Sequence, residues 1–287
     1  MSIKIGVNAW IWTSPFNTSD PESLNLLDKA KAMGFDSFEF GLESVSDVDP
    51  IKLKERAQAT GLRLVICGAF GPDRDLTHED PAIRANSLDY ITKALEICAK
   101  SGCPTLAGPS YSAVGKRRHV SAEQKKVEWD LAVKGLKEAA KRAANLGVRI
   151  AVEPLNRFET DLLNTSEQCE RLLNDIGEKN VGFHLDTFHM NIEEKDTYEA
   201  IKRAKGRLFH FHTCENDRGT PGSGKNIDWE GTAKALKEIG YDGDAVIESF
   251  TPKTKSIAGA AAIWRTLAPT QDSLASEGLA FLRKAFA

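Results

Sequence analysis

Apolar and polar positions along this chain alternate between two periods. Short stretches rich in Val, Ile, Leu and Phe, with polar residues gathered at their C-terminal ends, read as buried strands. Longer stretches with apolar residues three and four apart read as amphipathic helices. In order, strands are expected over residues 4–10, 37–40, 62–67, 105–107, 149–153, 181–186, 208–212 and 244–249. Helices are expected between them over 22–33, 51–60, 82–100, 122–146, 166–176, 197–204 and 229–239. Local punctuation agrees with the periods. Ser19, Asp20 and Pro21 supply a cap and a first-turn proline, and Gly34, Gly61, Gly102 and Gly147 stop the first four helices. The tail over about 257–286 is helical in pattern, with a break expected near Pro269.

An unbroken succession of strand and helix implies a parallel sheet, because parallel neighbours need a crossover and each crossover here is a helix of adequate length. Eight such units in 287 residues imply an α/β fold of the closed (β/α)8 kind rather than an open sheet. No low-complexity linker divides the chain, so a single domain over 1–287 is expected, ending in the helical tail.

Composition narrows the partners. A net charge of -3 and a pI near 6.1 give no global attraction to nucleic acid or to a membrane. The basic run Lys116, Arg117, Arg118, His119 reads as a solvated loop. The opening MSIKIGVNAW lacks the apolar core of a secretory leader, and no window approaches the ~20 apolar residues of a membrane span. A cytoplasmic protein is expected. Five cysteines (Cys67, Cys98, Cys103, Cys169, Cys214), without a CxxC pair, are expected to be free thiols.

The chemistry gathers between 181 and 229, which holds four of the six histidines. Side chains two apart on a strand share a face, so His184 points with Asp186 and His210 with His212. One such imidazole is ordinarily a satisfied interior group; a cluster with carboxylates points to a divalent metal. In a (β/α)8 barrel the reactive side chains stand at the C-terminal strand ends and in the loops after them. Glu153, Asp186, His212 and Glu248 stand at the ends of four consecutive expected strands, placing three oxygen donors and one nitrogen donor around one point. An oxygen-rich set with one imidazole favours Mn²⁺ or Co²⁺ over Ca²⁺. Glu248, inside the apolar run AVIESF, would be costly to bury without a partner. Glu159, His189 and Arg218 lie in the loops after strands five, six and seven, and Trp10, Trp12, Cys67 and Phe70 lie at or after the ends of strands one and three. Together they can form a pocket in which a few polar groups fix a polyol over an aromatic floor. Gly219, Gly222 and Gly224 precede no G-K-S/T, and as a phosphate loop they are a weak signal.

The segments EPLNRFET, HLDTFHMNIEE, HFHTCENDRGTPGSG followed by IDW, and VIESF resemble the ketose 3-epimerases. These are the D-tagatose, D-psicose and L-ribulose 3-epimerases of the xylose isomerase-like TIM barrel superfamily. The resemblance runs over nearly the whole chain, and CENDRGTPG is its most specific piece. It implies a divalent metal, Mn²⁺ first with Co²⁺ or Mg²⁺ possible, held by Glu153, Asp186, His212 and Glu248. It also implies that Glu153 and Glu248 act as the proton carriers and that Glu159, His189 and Arg218 orient the substrate. The implied reaction is epimerisation of a free ketose of the D-tagatose, D-fructose, D-allulose or L-ribulose type at C3, through an enediolate. A homodimer or homotetramer is implied as well. Asn8 and the stretch AGPSYSAVGKRR differ from some branches of the family, which leaves the preferred ketose open. The competing enzyme readings are an aldose-ketose isomerase like hydroxypyruvate isomerase and an inosose dehydratase. A non-catalytic sugar-binding protein would need no pair of proton carriers, and an apurinic endonuclease would need more histidine and a basic surface.

Overall fold

The eight strands close into one parallel barrel in a computed structural model that describes residues 3–287. The first two residues of the domain expected over 1–287 lie outside them. The strands are β1 (Lys4–Asn8), β2 (Ser37–Leu42), β3 (Arg63–Gly68), β4 (Thr105–Gly108), β5 (Arg149–Val152), β6 (Val181–Asp186), β7 (Leu208–Thr213) and β8 (Asp244–Ile247). Each pairs with the next, and β1 closes the ring against β8. Around it run α1 (Pro21–Met33), α2 (Pro50–Thr60), α3 (Pro81–Ser101), α4 (Ala122–Asn145), α5 (Ser166–Ile176), α6 (Thr187–Glu193), α7 (Thr197–Arg203) and α8 (Trp229–Glu238). The tail adds α9 (Lys255–Ala260) and α10 (Gln271–Ala285).

Local chemistry explains the boundaries. The first three helices each open on an Asp-Pro pair, in which the aspartate side chain accepts first-turn amides and the proline needs no hydrogen-bond partner there. Gly34 ends α1 in the left-handed region, at φ 96°, where a side chain would be strained. The first strand stops at Asn8 instead of running to residue 10. The Asn8 side-chain oxygen accepts the Trp10 amide at 2.8 Å and turns Ala9–Ile11 into a 3₁₀ turn. The segment after strand six, expected as a loop, contains α6, which Asp186 caps through the Phe188 amide at 2.7 Å. The tail is interrupted over 261–270, much more than a break at Pro269. Ala262 there takes a left-handed φ of 54°, and Thr270 caps the helix that follows.

The main core lies between sheet and helices, with Phe38 and Phe40 of β2, Phe183 of β6 and Phe211 of β7 among its fully buried side chains. Leu274 and Leu282 of α10 join it, and Phe281 and Phe286 pack on Trp229 at ring distances of 5.4 and 6.4 Å. A separate cluster of Val65, Ala107 and Ala151, with Phe209 packed on it, fills one end of the barrel interior. Phe183 pairs with Leu208 but His184 with His210, so Phe209 is an extra residue, a bulge in β7. The bulge lets Phe209 plug the interior while His210 and His212 still face it one layer higher. Strict alternation, as read from the sequence, would have sent Phe209 to the face opposite the two histidines.

Candidate active site

Four consecutive strands deliver four donor groups to one point. Asp186 ends β6 and His212 lies near the end of β7, while Glu153 and Glu248 stand one residue beyond β5 and β8. One ligand atom from each lies within 4.8 Å of the others, and all four residues are buried. His212 Nδ1 is 3.3 Å from Glu248 Oε2 and 3.9 Å from both Glu153 Oε1 and Asp186 Oδ2. Among the described residues that nitrogen has no hydrogen-bond partner.

The electrostatics ask for a cation. Burial pushes the Glu153 carboxyl well up, with Glu248 and Asp186 adding to the effect against His212. Burial raises Asp186 too, but Arg218, His189 and His212 outweigh it and hold the group well below the usual carboxylate range. For His212, burial is outweighed by the charges of Glu248 and Glu39, which hold the imidazole well above its ordinary value. Three carboxylates, one guanidinium and one imidazole crowd this point, and a bound cation would take the place of the protons that burial and neighbouring charge hold on Glu153 and His212. The unpartnered His212 nitrogen, the tight spacing and a donor set of three oxygens and one nitrogen fit a divalent metal ion.

Arg218 reaches the same point from the loop after β7. Its Nη1 lies 2.5 Å from Asp186 Oδ2 and 2.7 Å from Glu248 Oε2, and its guanidinium carbon lies 4.1 Å from the Phe188 ring centre. The backbone of Arg218 adopts φ 68°, a conformation that bulky residues avoid, and the strained turn aims the side chain inward. His189, on α6, places Nε2 3.2 Å from Arg218 Nη2 and 3.8 Å from Glu153 Oε1. Its Nδ1 faces the Asn156 amide at 3.1 Å while its Nε2 faces the donor-only Arg218 Nη2, so two donors compete for the single accepting nitrogen of the neutral ring. Glu159 accepts from Asn156 Nδ2 at 2.8 Å and so meets His189 through that side chain.

Cys67 is brought to the site: its sulfur comes within 4.8 Å of ligand atoms of Glu39 and Glu248, in a cluster with Trp10, Phe250, Ala258 and Ile263. Burial pushes its thiol well up, so it serves as a neutral wall. All five cysteines are free and buried. Trp12 is not brought to the carboxylates. Its indole N–H donates to Asp272 at 2.7 Å and Lys29 sits over the ring, which holds it in the helical layer. Trp10 turns to the pocket side instead, 5.4 Å from Phe250 and lying across Gly41, where a β-carbon would overlap the indole. Phe70 packs edge-on against Tyr90. The glycine-rich loop folds around Glu215, which accepts from the Gly222 amide and from Trp229 Nε1, both at 2.9 Å, and offers no phosphate cradle.

Two contributors escaped the sequence reading. Asn156 lies inside NRFET, where only Glu159 attracted attention. Glu39 lies inside SFEF, read simply as a strand, although an acid between two phenylalanines in a buried strand was itself the signal.

The xylose isomerase-like TIM barrel family matches residues 27–285 of the chain. A probable ketose 3-epimerase of Synechocystis sp. is 35% identical over 285 residues, 99% of this chain and 97% of the relative. A ketose 3-epimerase of Arthrobacter globiformis is 32% identical over 98% of this chain and 96% of that one. Among solved structures, an L-ribulose 3-epimerase matches with a TM-score of 0.92 at 31% identity, covering 99% of this chain and 94% of that chain.

Proposed function

The chain belongs to the xylose isomerase-like TIM barrel family, among its ketose 3-epimerases, and from that premise we propose that it inverts C3 of a free ketose. One of Glu153 and Glu248 removes the C3 proton and the other returns a proton to the opposite face. The observation that carries the reading is the placement of these two buried glutamates after β5 and β8, with Asp186 and His212 supplied by the strands between. Such a pair can approach C3 from both sides, as a base on one face and an acid on the other require.

Glu153, Asp186, His212 and Glu248 would hold the divalent ion, for which manganese is our choice, with cobalt or magnesium as alternatives. When bound, the ion supplies Lewis acidity that lowers the cost of removing a proton beside the ketose carbonyl. Arg218 and His189 hold the oxygens at C1 and C2, and Asn156 fixes the position of the His189 ring through its backbone amide and side chain. Glu159 steadies Asn156. Trp10, Cys67 and Phe250 wall the pocket and exclude water from the exposed carbanion. A homodimer or homotetramer and a cytoplasmic setting belong to the same proposal and rest on the family resemblance. Among the described residues no helix is long and apolar enough to cross a membrane.

The test is isotopic. Mn²⁺-loaded protein incubated in D₂O with D-fructose, D-tagatose or L-ribulose should place deuterium at C3 and generate the 3-epimer, which NMR locates. Deuterium at C1 with an aldose product would reassign the protein to the aldose-ketose isomerases. Loss of water from an inosose, without exchange into any ketose, would make it a dehydratase.

A further inference from the structure

Glu39 lies one layer below the proposed metal ligands and belongs to none of them. It is wholly buried inside the barrel, between Phe38 and Phe40, which join the main core outside the sheet. Its Oε1 is 2.8 Å from His212 Nε2, and its Oε2 is 2.6 Å from His210 Nε2. An ionised carboxylate only accepts, so the His212 proton sits on Nε2 and points down at Glu39. When a bound cation displaces the second proton of the ring, Nδ1 is the nitrogen left to face Glu153, Asp186 and Glu248, at 3.3 to 3.9 Å. Glu39 is itself held from the other side. Asn8 Nδ2 donates to Oε1 at 2.5 Å, and the amide cannot be turned over because Asn8 Oδ1 accepts the Trp10 N–H at 2.8 Å.

The structure assigns Glu39 as the positioning residue of the metal centre: with Asn8 behind it, it fixes the tautomer and ring orientation of His212 so that Nδ1 presents its lone pair to the ion. The inference rests on the metal site of the proposed function. A carboxylate behind a ligating imidazole fixes ring orientation and raises basicity, and its loss typically costs 10 to 100-fold in metal affinity. His210 shares the same carboxylate, and the rings of His184, His210 and His212 pack edge-on against one another at 4.2 to 4.7 Å, which restricts their rotation.

The experiment compares wild type with Glu39→Gln, Glu39→Ala, Asn8→Ala and His212→Ala. Each metal-stripped protein is titrated with Mn²⁺ against a fluorescent chelator, and visible spectra are recorded on the Co²⁺-loaded forms. Glu39→Gln keeps an acceptor oxygen but not the charge, so affinity should fall about 10-fold; Glu39→Ala should fall about 100-fold, with an altered cobalt spectrum. Asn8→Ala retains the carboxylate and should show a smaller loss. At saturating Mn²⁺ the KM for ketose should stay at the wild-type value in Glu39→Gln. If Glu39→Ala does not fold, the Gln and Asn8 variants decide. Affinities and cobalt spectra matching wild type in both, while His212→Ala loses the metal, would overturn the assignment and reduce Glu39 to a counter-charge. A wild-type protein that binds neither ion would instead remove the metal site itself.

Discussion

Glu128 on α4 and Glu153 beyond β5 are both acids taken almost wholly out of water, yet their surroundings differ in kind. Glu128 receives Arg118 Nη2 on both oxygens, at 2.8 and 2.9 Å, and Gln124 Nε2 at 3.1 Å. Arg118 and Lys125 also bind Asp161, so the network closes within the chain. The ion-pair contacts of Glu153 are imidazole nitrogens at 3.5, 3.8 and 3.9 Å, and its nearest acidic neighbours share the same tight cluster. A buried charge network that satisfies itself is a device for holding a loop. One that leaves donors unpartnered and carboxylates crowded is built around something the chain does not supply.

The largest effect should come from neutralising the crowded side. Glu153→Gln and Glu248→Gln should each lower turnover by about 10² to 10⁴-fold, the usual contribution of a general acid or base. Removing one of several like charges should leave the melting temperature of the metal-stripped protein unchanged or higher. Steady-state kinetics and thermal melts on the same samples check both halves. Near-wild-type turnover in both variants would break the two-carboxylate scheme, and a large loss of stability would erase the contrast with Glu128.

The paired side should respond in the opposite sense. Arg118→Ala strands Glu128 with a weaker set of donors, and breaking a buried pair from one side is strongly destabilising. Since Arg118 is 39% exposed, the cost is discounted to about 2 kcal/mol, or several degrees of melting temperature. Turnover at saturating ketose should stay within about threefold of wild type, because Arg118 makes none of the contacts that hold the carboxylate cluster. A loss of turnover comparable to that of Glu153→Gln would mean that the loop network serves chemistry as well as support.

What could be read from the sequence follows the same division. The alternation of strand and helix was legible because each strand is an apolar run flanked by cap residues and glycine stops, signals that are local. Glu153, Asp186, His212 and Glu248 were legible because a barrel places strand ends together whatever the loops do. Glu39 could be flagged as an acid inside a buried strand, but its role depends on β2 facing β7 across the barrel interior, a relation no local pattern encodes. Trp12 was misplaced for a related reason. Position after strand one brought it to the correct end of the barrel, but its side chain goes to Asp272, 260 residues away. The register of β7 also lay beyond reach, because RLFHFH alternates equally well with or without a bulge at Phe209.

The smallest effect tests a third acid, Asp36, at the end of the barrel away from the carboxylate cluster. Its Oδ2 accepts the Ile5 amide at 2.9 Å and meets Arg283 Nη1 of α10 at 2.6 Å, while Arg283 Nη2 donates to the Gly34 carbonyl at 2.9 Å. Burial raises the carboxyl, but the hydrogen bonds from Arg283 and Ile5 outweigh it and hold the group below its ordinary value. A depressed folded-state value means that the contribution is fully present above the unfolded pKa, about 4, and is lost as the pH falls through the folded value. Arg283 and Asp36 are 41% and 30% exposed, so solvent and salt screen the pair and its worth is about 0.5 kcal/mol. Arg283→Ala should therefore lower the melting temperature by only about 1 °C at neutral pH. The difference from wild type should shrink on acidification as the carboxyl protonates in both proteins, and scanning calorimetry across the acid range reads it directly. A gap that widens on acidification would reverse the sign and show that Arg283 anchors α10 through the Gly34 carbonyl, leaving Asp36 to the Ile5 amide alone.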